Sequence, residues 1–258
     1  MKHYLYLIMQ LSRREVASRY RGSVMGLFWS FLAPIVMLVV YTFVFSVVFK
    51  ARWGTGGDDK ASFALNLFAG IIVHGLFAES VTRAPGLMLQ HASYVKRVVF
   101  PLWILPPVTV VSALFHALIS VVVLLAAQVL IYGYVHWQVM ALPVLLVPLI
   151  LVVLGVSWLL AALGVFLRDL NQLVPMIVMV MMFMSPIFYP VSALPEAYQS
   201  WLYLNPLTPA IEMIRALVLE GQLPEWRSFA VYLAAGILSA GLGLAFFARV
   251  RRGFADVL

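Results

Sequence analysis

Apolar residues in this chain run in long blocks with no alternation at period two, so the pattern predicts helices and not the strands of a membrane barrel. The first block, LFWSFLAPIVMLVVYTFVFSVVF, covers residues 27–49 without a charge. Five more follow at about 63–84, 104–132, 140–167, 173–189 and 228–248. A crossing of the hydrocarbon core takes about 20 apolar residues, so the pattern predicts six spans. The second is the weakest because it carries Asn66, His74, Glu79 and Arg83. Ahead of the first block, residues 4–20 draw as an interfacial helix with Leu5, Ile8, Met9, Val16 and Tyr20 on one side and Arg14 and Arg21 opposite. The separation is imperfect, since Arg19 falls near the apolar side. Before the last block, Pro195 and Glu196 open one short amphipathic stretch, while Asn205 as N-cap and Pro206 as first helical residue open another that ends near Gly221.

Composition carries these blocks into a bilayer. Of 258 residues, 64% are hydrophobic and 10% charged, where a soluble domain is about half apolar and a quarter charged. In hydrocarbon every amide needs an internal partner, which leaves helices. The expected fold is therefore an all-α polytopic membrane protein. It comprises an interfacial helix over 1–22, one membrane domain over 23–252 and a tail over 253–258. The net charge of +7 does not point to nucleic acid, because the basic residues cluster at the ends of apolar runs. With both termini cytoplasmic, the inner segments hold most of the 17 basic residues. The outer segments hold six of the 10 acids, namely Asp58, Asp59, Glu196, Glu212, Glu220 and Glu225. An odd number of spans would spoil that separation. The chain has no cysteine, which excludes disulfides and thiolate chemistry. No short apolar core with a small-residue cleavage site opens it, so no cleaved signal peptide is expected.

Several segments could carry chemistry. Arg13, Arg14, Arg19 and Arg21 form a basic collar before the first span. It satisfies positive-inside topology and attracts anionic membrane lipids; its guanidinium forks also match the paired oxygens of a pyrophosphate. Trp29 suits an interface anchor. Tyr41, Phe43 and Phe45 lie deeper, where aromatic faces either pack or let sugar rings slide past. The loop QHASYVKRVVF, bounded by Pro85 and Pro101, is short and basic yet holds apolar residues, as a helix that docks into a partner's groove would. Arg168 and Asp169 sit in a turn between two apolar runs, and Glu79 and Arg83 form an i, i+4 pair. His74 and His116 lie inside spans, where a neighbouring helix is expected to satisfy each. No histidines fall at metal-ligand spacing and no phosphate loop is present, so neither a metal nor a nucleotide site is expected.

In their order, RYRGSVMGLFWSFLAPIVMLVVYTFVFSVVF, FLRDLNQ, SPIFYP, LNPLTPAIEMIRALV and RVRRGFADVL resemble the membrane subunit of type-2 ABC exporters for O-antigen, teichoic acid and capsule polysaccharides. The resemblance covers nearly the whole chain, and the GFADVL ending is most similar to O-antigen permeases. It implies a transport subunit in the bacterial inner membrane and not an enzyme. It further implies a homodimer joined to two copies of a separate ATP-binding subunit that carries ATP and Mg, with no cofactor on this chain. Residues 90–97, with His91, Tyr94, Lys96 and Arg97, would be the coupling helix, and Arg168 and Asp169 a second contact with the ATPase. The helices beginning at Leu27 and ending at Tyr189 would line the path, bringing Trp29, Tyr41, Phe43, Phe45, Phe183, Phe188 and Tyr189 to a lipid-linked glycan whose pyrophosphate the collar receives. Helices at about 194–204 and 206–220, with Trp201, Tyr203, Glu212 and Arg215, would form an outer gate.

Other classes fit less well. A polyprenyl-phosphate sugar transferase needs paired acids at a membrane face to hold Mg²⁺, and the only adjacent acids, Asp58 and Asp59, fall in an outer glycine-rich loop. An ion-coupled transporter places ionisable groups at midplane, where this chain offers little beyond His74 and His116. A type-2 exporter of drugs or other lipids would share fold and partner and differ in substrate.

Overall fold

The computed structural model describes residues 2–48, 60–92 and 100–257, and these form helices joined by turns, with no strand among them. Helix α1 (Lys2–Tyr20) is followed by α2 (Trp29–Tyr41), which keeps Pro34 inside it and passes into a π-helical stretch, Thr42–Val48. Then come α3 (Lys60–Arg83), the short α4 (Leu87–Gln90), α5 (Leu105–Tyr132) and α6 (Leu142–Phe166). The chain continues through α7 (Leu170–Phe183), α8 (Glu196–Leu202), α9 (Leu207–Leu219) and α10 (Trp226–Val250), and closes with α11 (Phe254–Val257).

Among the described residues, five helices are long and apolar enough to cross a bilayer: Gly26–Phe45, Ala61–Arg83, Leu102–Tyr132, Trp137–Phe166 and Trp226–Gly253. Where the pattern predicts the fifth of its six spans, over 173–189, α7 has 14 residues. At 1.5 Å per residue it reaches about 21 Å, short of the roughly 30 Å core. The helix stops because Ser185 and Pro186 follow its last turn and Pro186 has no N–H to extend the ladder. Ser185 and Ile187 are fully buried, which is how non-helical backbone is tolerated at membrane depth.

The core sits around α3, lined by Phe63, Leu67, Phe68, Leu76, Leu149, Ile211 and Leu217 from α3, α6 and α9. The tightest pairing is α6 with α10, made possible by small residues. A Cβ added to Gly243 would lie 2.1 Å from the Gly155 carbonyl oxygen, so the two backbones touch. Close approach of this kind is what associates helices where lipid removes the hydrophobic drive. A second cluster of Leu87, Met88, Trp158, Phe247 and Phe254 ties α4 and the C-terminus to the end of the bundle where α1 lies. By contrast α2, the π-helical stretch after it and α7 carry large exposed apolar faces, including Val39, Phe43, Met176, Met179 and Phe183.

Helix α1 lies against α5, but not through the whole predicted stripe. Leu5 and Met9 are exposed, whereas Ile8, Glu15, Val16 and Tyr20 are partly covered and Ser12 is buried, its hydroxyl donating to the Val108 carbonyl at 3.2 Å.

Candidate translocation path and coupling surface

The collar residues do not share one role. Arg19 donates to Glu79 on α3 at 2.5 Å and lies 3.2 Å from Nδ1 of His116 on α5. The same His116 nitrogen is 3.1 Å from both Glu79 oxygens. Arg83 pairs with Glu15 of α1 at 2.5 Å and lies 3.8 Å from Glu79. The i, i+4 pair thus turns outward into a network that joins α1, α3 and α5. Burial raises the Glu15 carboxyl above its ordinary range and outweighs the opposing Arg83 charge. A cavity of about 510 Å³ lies over this network, lined by Glu15, Ser18, Arg19, Glu79 and Arg83. Arg14 lines a neighbouring one of about 410 Å³ beside His91. Arg13 and Arg21 are exposed, and among the described residues Arg13, Arg14 and Arg21 make no ion pair. Trp29 borders a third cavity of about 260 Å³ together with Arg19 and His116.

Several predicted path aromatics do meet. Tyr41 and Phe45 are 6.4 Å apart, Phe45 is 5.8 Å from Phe188, and Phe188 stacks on Phe183 at 5.6 Å. These centroid separations suit favourable aromatic pairing. The run bridges the end of α2 and the end of α7, with Phe63 of α3 stacked against Phe45 at 5.7 Å. The Tyr189 hydroxyl donates to the Phe183 carbonyl at 3.2 Å and fixes the turn after α7. Phe43 points away, 59% exposed.

His91, from one segment predicted to meet a partner, lies near the other. A Cβ on Gly86, just before α4, would lie 2.8 Å from Asn171 Oδ1, which puts α4 and His91 beside the turn of Arg168 and Asp169. His91 Nδ1 is 2.9 Å from the Leu87 carbonyl oxygen. Tyr94, Lys96 and Arg97 lie outside the described residues.

At the other end, α8 and α9 match the two predicted short helices. Asn205 Oδ1 accepts from the Leu207 N–H at 3.0 Å, so it caps the start of α9 as its residue type predicts. Trp201 and Tyr203 are exposed. Arg215 is not on that surface: its side chain is 4% exposed. Its Nε donates to the Asn66 carbonyl at 2.8 Å, Nη1 to Pro186 O at 2.5 Å and Nη2 to Ile187 O at 2.9 Å. Glu212 is only a 3.4 Å partner. Burial lowers the Arg215 guanidinium to about 10. One buried cation therefore ties the turn after α7 to α3. The signal was present in sequence, because Arg215 lies on the same stripe as Leu207, Ile211, Ile214 and Val218, where a charge has no solvent.

The predicted partners for the intramembrane histidines are found. His74 Nε2 is 3.2 Å from the Val178 carbonyl oxygen on α7, and His116 has Glu79. No group of three or more potential metal ligands occurs among the described residues.

The described residues thus form a bundle of helices of membrane-spanning length, with short helices at one end and α1 docked at the other. A family model described as ABC-2 type transporter matches residues 6–219, and the chain belongs to that family. Among its relatives are two O-antigen export system permease proteins RfbA. One is from Klebsiella pneumoniae, 26% identical over 99% of this chain and 96% of its own length; the other is from Myxococcus xanthus, 27% identical over 98% and 95%. A polysialic acid transport protein KpsM from Escherichia coli is 23% identical over 91% of this chain and 89% of its own length.

Proposed function

We propose that this chain is the membrane subunit of an ATP-driven exporter that moves a polyprenyl-diphosphate-linked polysaccharide, O-antigen in the first instance, across the bacterial inner membrane. The observation that carries the reading is the aromatic run from Tyr41 through Phe45 and Phe188 to Phe183, in a chain similar over nearly its full length to O-antigen permeases. In this reading both termini are cytoplasmic and two copies face each other across the path. The exposed apolar faces of α2 and α7 are consistent with such a second copy. An ATP-binding subunit docks on residues 90–97 and on the turn of Arg168 and Asp169, and supplies ATP and Mg, while this chain carries no cofactor.

The division of labour in the collar follows from its pairing. Arg13, Arg14 and Arg21 receive the diphosphate, because each guanidinium offers paired N–H donors to phosphate oxygens. Arg19 holds α1 in place through Glu79. Sugar rings then pass stacked on aromatic faces, which attract without fixing any single residue of the glycan. Trp201 and Tyr203 stand at the far end as part of an outer gate.

The test is export of lipid-linked glycan to the cell surface by an Arg13→Gln, Arg14→Gln, Arg21→Gln variant. Surface glycan is expected to fall at least about tenfold, since each lost charge-assisted bond costs about 1.5–3 kcal/mol, with assembly unchanged. Normal export by the triple variant would overturn the headgroup assignment. The similarity to polysialic acid transport proteins makes a capsular polysaccharide the second reading, and the identity of the co-purifying lipid-linked sugar separates the two.

A further inference from the structure

Ile187 and Phe188 are neighbours in the chain with separate attachments. The Phe188 ring belongs to the aromatic run, while the Ile187 carbonyl accepts from Arg215 on α9 at 2.9 Å. The turn that carries both, residues 184–189, is held by side-chain hydrogen bonds from α9. Arg215 also donates to the Pro186 carbonyl and, through Nε, to the Asn66 carbonyl of α3. Its ion pair with Glu212, at 3.4 Å, stays on its own helix. Asn205 donates from Nδ2 to Ser185 Oγ at 2.8 Å, while its Oδ1 caps α9. The Ser185 hydroxyl in turn donates to the Met181 carbonyl of α7 at 2.6 Å.

Helix α9 is itself pinned at both ends. The Tyr232 hydroxyl of α10 donates to the Pro206 carbonyl at 2.8 Å, and Nε2 of the buried Gln128 on α5 donates to the Val218 carbonyl at 3.0 Å. The turn is therefore referred, through α9, to α3, α5 and α10. A phenyl ring has no hydrogen bond to fix it, and Phe183 is exposed. Where Phe183 and Phe188 stand follows from the backbone that carries them, and Arg215 and Asn205 grip that backbone.

We infer, on the reading of the aromatic run as the glycan path, that Arg215 and Asn205 are positioning residues for that path. From α9 they fix the turn that sets the Phe183 and Phe188 rings against each other and against Phe45, the geometry in which a sugar ring meets them. The chemistry suits the task. The rigid guanidinium fork spans two successive carbonyls and so fixes the orientation of the turn as well as its distance, which an ammonium, a point charge on a flexible stem, does not. Asn205 serves two elements at once, one amide atom starting α9 and the other holding Ser185.

The test uses the full chain assembled with its ATP-binding subunit in proteoliposomes, with ATP hydrolysis followed against added polyprenyl-diphosphate glycan extracted from the cells that produce the chain. The half-saturating glycan concentration is expected to rise about tenfold in Arg215→Lys and about threefold in Ser185→Ala, the range one aromatic contact supplies, while the saturated rate holds within about twofold. Ser185→Ala removes only the acceptor of Asn205 and leaves the α9 cap in place, so it reads the clasp where the arginine variant fails to assemble. A role in folding alone would lower the saturated rate and the melting temperature together and leave half-saturation where it was. Spin labels at the exposed Met184 and Leu204, in a chain without native cysteine, follow the turn against α9 with no substrate present, and their distance distribution should be narrow in the parent and broader in both variants. Unchanged half-saturation in both variants would overturn the inference, and so would an unchanged label distribution. A parent complex that glycan does not stimulate would overturn the path reading and the inference with it, whatever the labels show of the clasp.

Discussion

The two ends of this bundle handle charge in opposite ways. At the α9 end a single arginine, Arg215, is sealed in the protein and gives its donors to backbone carbonyls of Asn66, Pro186 and Ile187. At the α1 end Glu15, Arg19, Glu79, Arg83 and His116 pair side chain to side chain, with Arg19 and Arg83 about half exposed. The buried turn carbonyls of Pro186 and Ile187 lose their side-chain donor once the cation leaves, whereas exposed side chains can exchange partners with water, salt or an anion. The first arrangement fixes a fold element. The second holds α1 in place but lets it be released, which suits the end where substrate and ATPase would be received.

The largest expected effect breaks the first arrangement. Arg215→Ala strands the buried turn carbonyls of Pro186 and Ile187 and should cost about 3–5 kcal/mol, seen as a fall in melting temperature of roughly 10 °C for a chain this size. Arg215→Lys should recover part of it, because an ammonium cannot span all three acceptors. Next comes Gly70→Ala, whose Cβ would lie 2.9 Å from Arg215 Nη2. The guanidinium must shift, and a loss of about 1–3 kcal/mol is expected, the range for overpacking. A melting temperature equal to the parent's would show that the pocket around Arg215 gives way freely.

The second arrangement should respond more mildly. Glu79→Gln removes the shared acceptor of Arg19 and His116, and spin labels on α1 and α5 should report a broader distance distribution, with about 1 kcal/mol lost in docking. The parent itself should broaden in high salt, while the Arg215 end should not. The smallest effect is on pH. Docked Glu15 holds its proton to higher pH than the ordinary 4.5, so docking takes up protons and must tighten as pH falls from neutral toward 4.5. Glu15→Gln should flatten that dependence, as the same label distances would register.

What the chain discloses in advance follows from which forces are local. Helical class and most of the span positions are legible because hydrocarbon demands long apolar helices, and residue type alone marks a cap such as Asn205. The fifth apolar run, 173–189, overstates the length of its helix, since hydropathy averages over Ser185 and Pro186, and α7 ends at Phe183. Long-range pairing is hidden, yet its signature is a charge out of place on a helical wheel. Arg19 falls near the apolar side of α1 and Arg215 within the apolar stripe of α9, and each proves to have its partners on other helices. The meeting of Tyr41 and Phe45 with Phe183 and Phe188 has no local signal, because it depends on how α2 and α7 converge.

The most direct test of the account is purification of the tagged chain from its native membranes, with mass spectrometry of bound proteins and lipid-linked sugars and an assay of nucleotide turnover. The account predicts an ATP-binding subunit at one copy per chain, vanadate-sensitive ATP hydrolysis and a bound polyprenyl-diphosphate glycan. A chain that purifies with no ATP-binding subunit and no nucleotide turnover would contradict it.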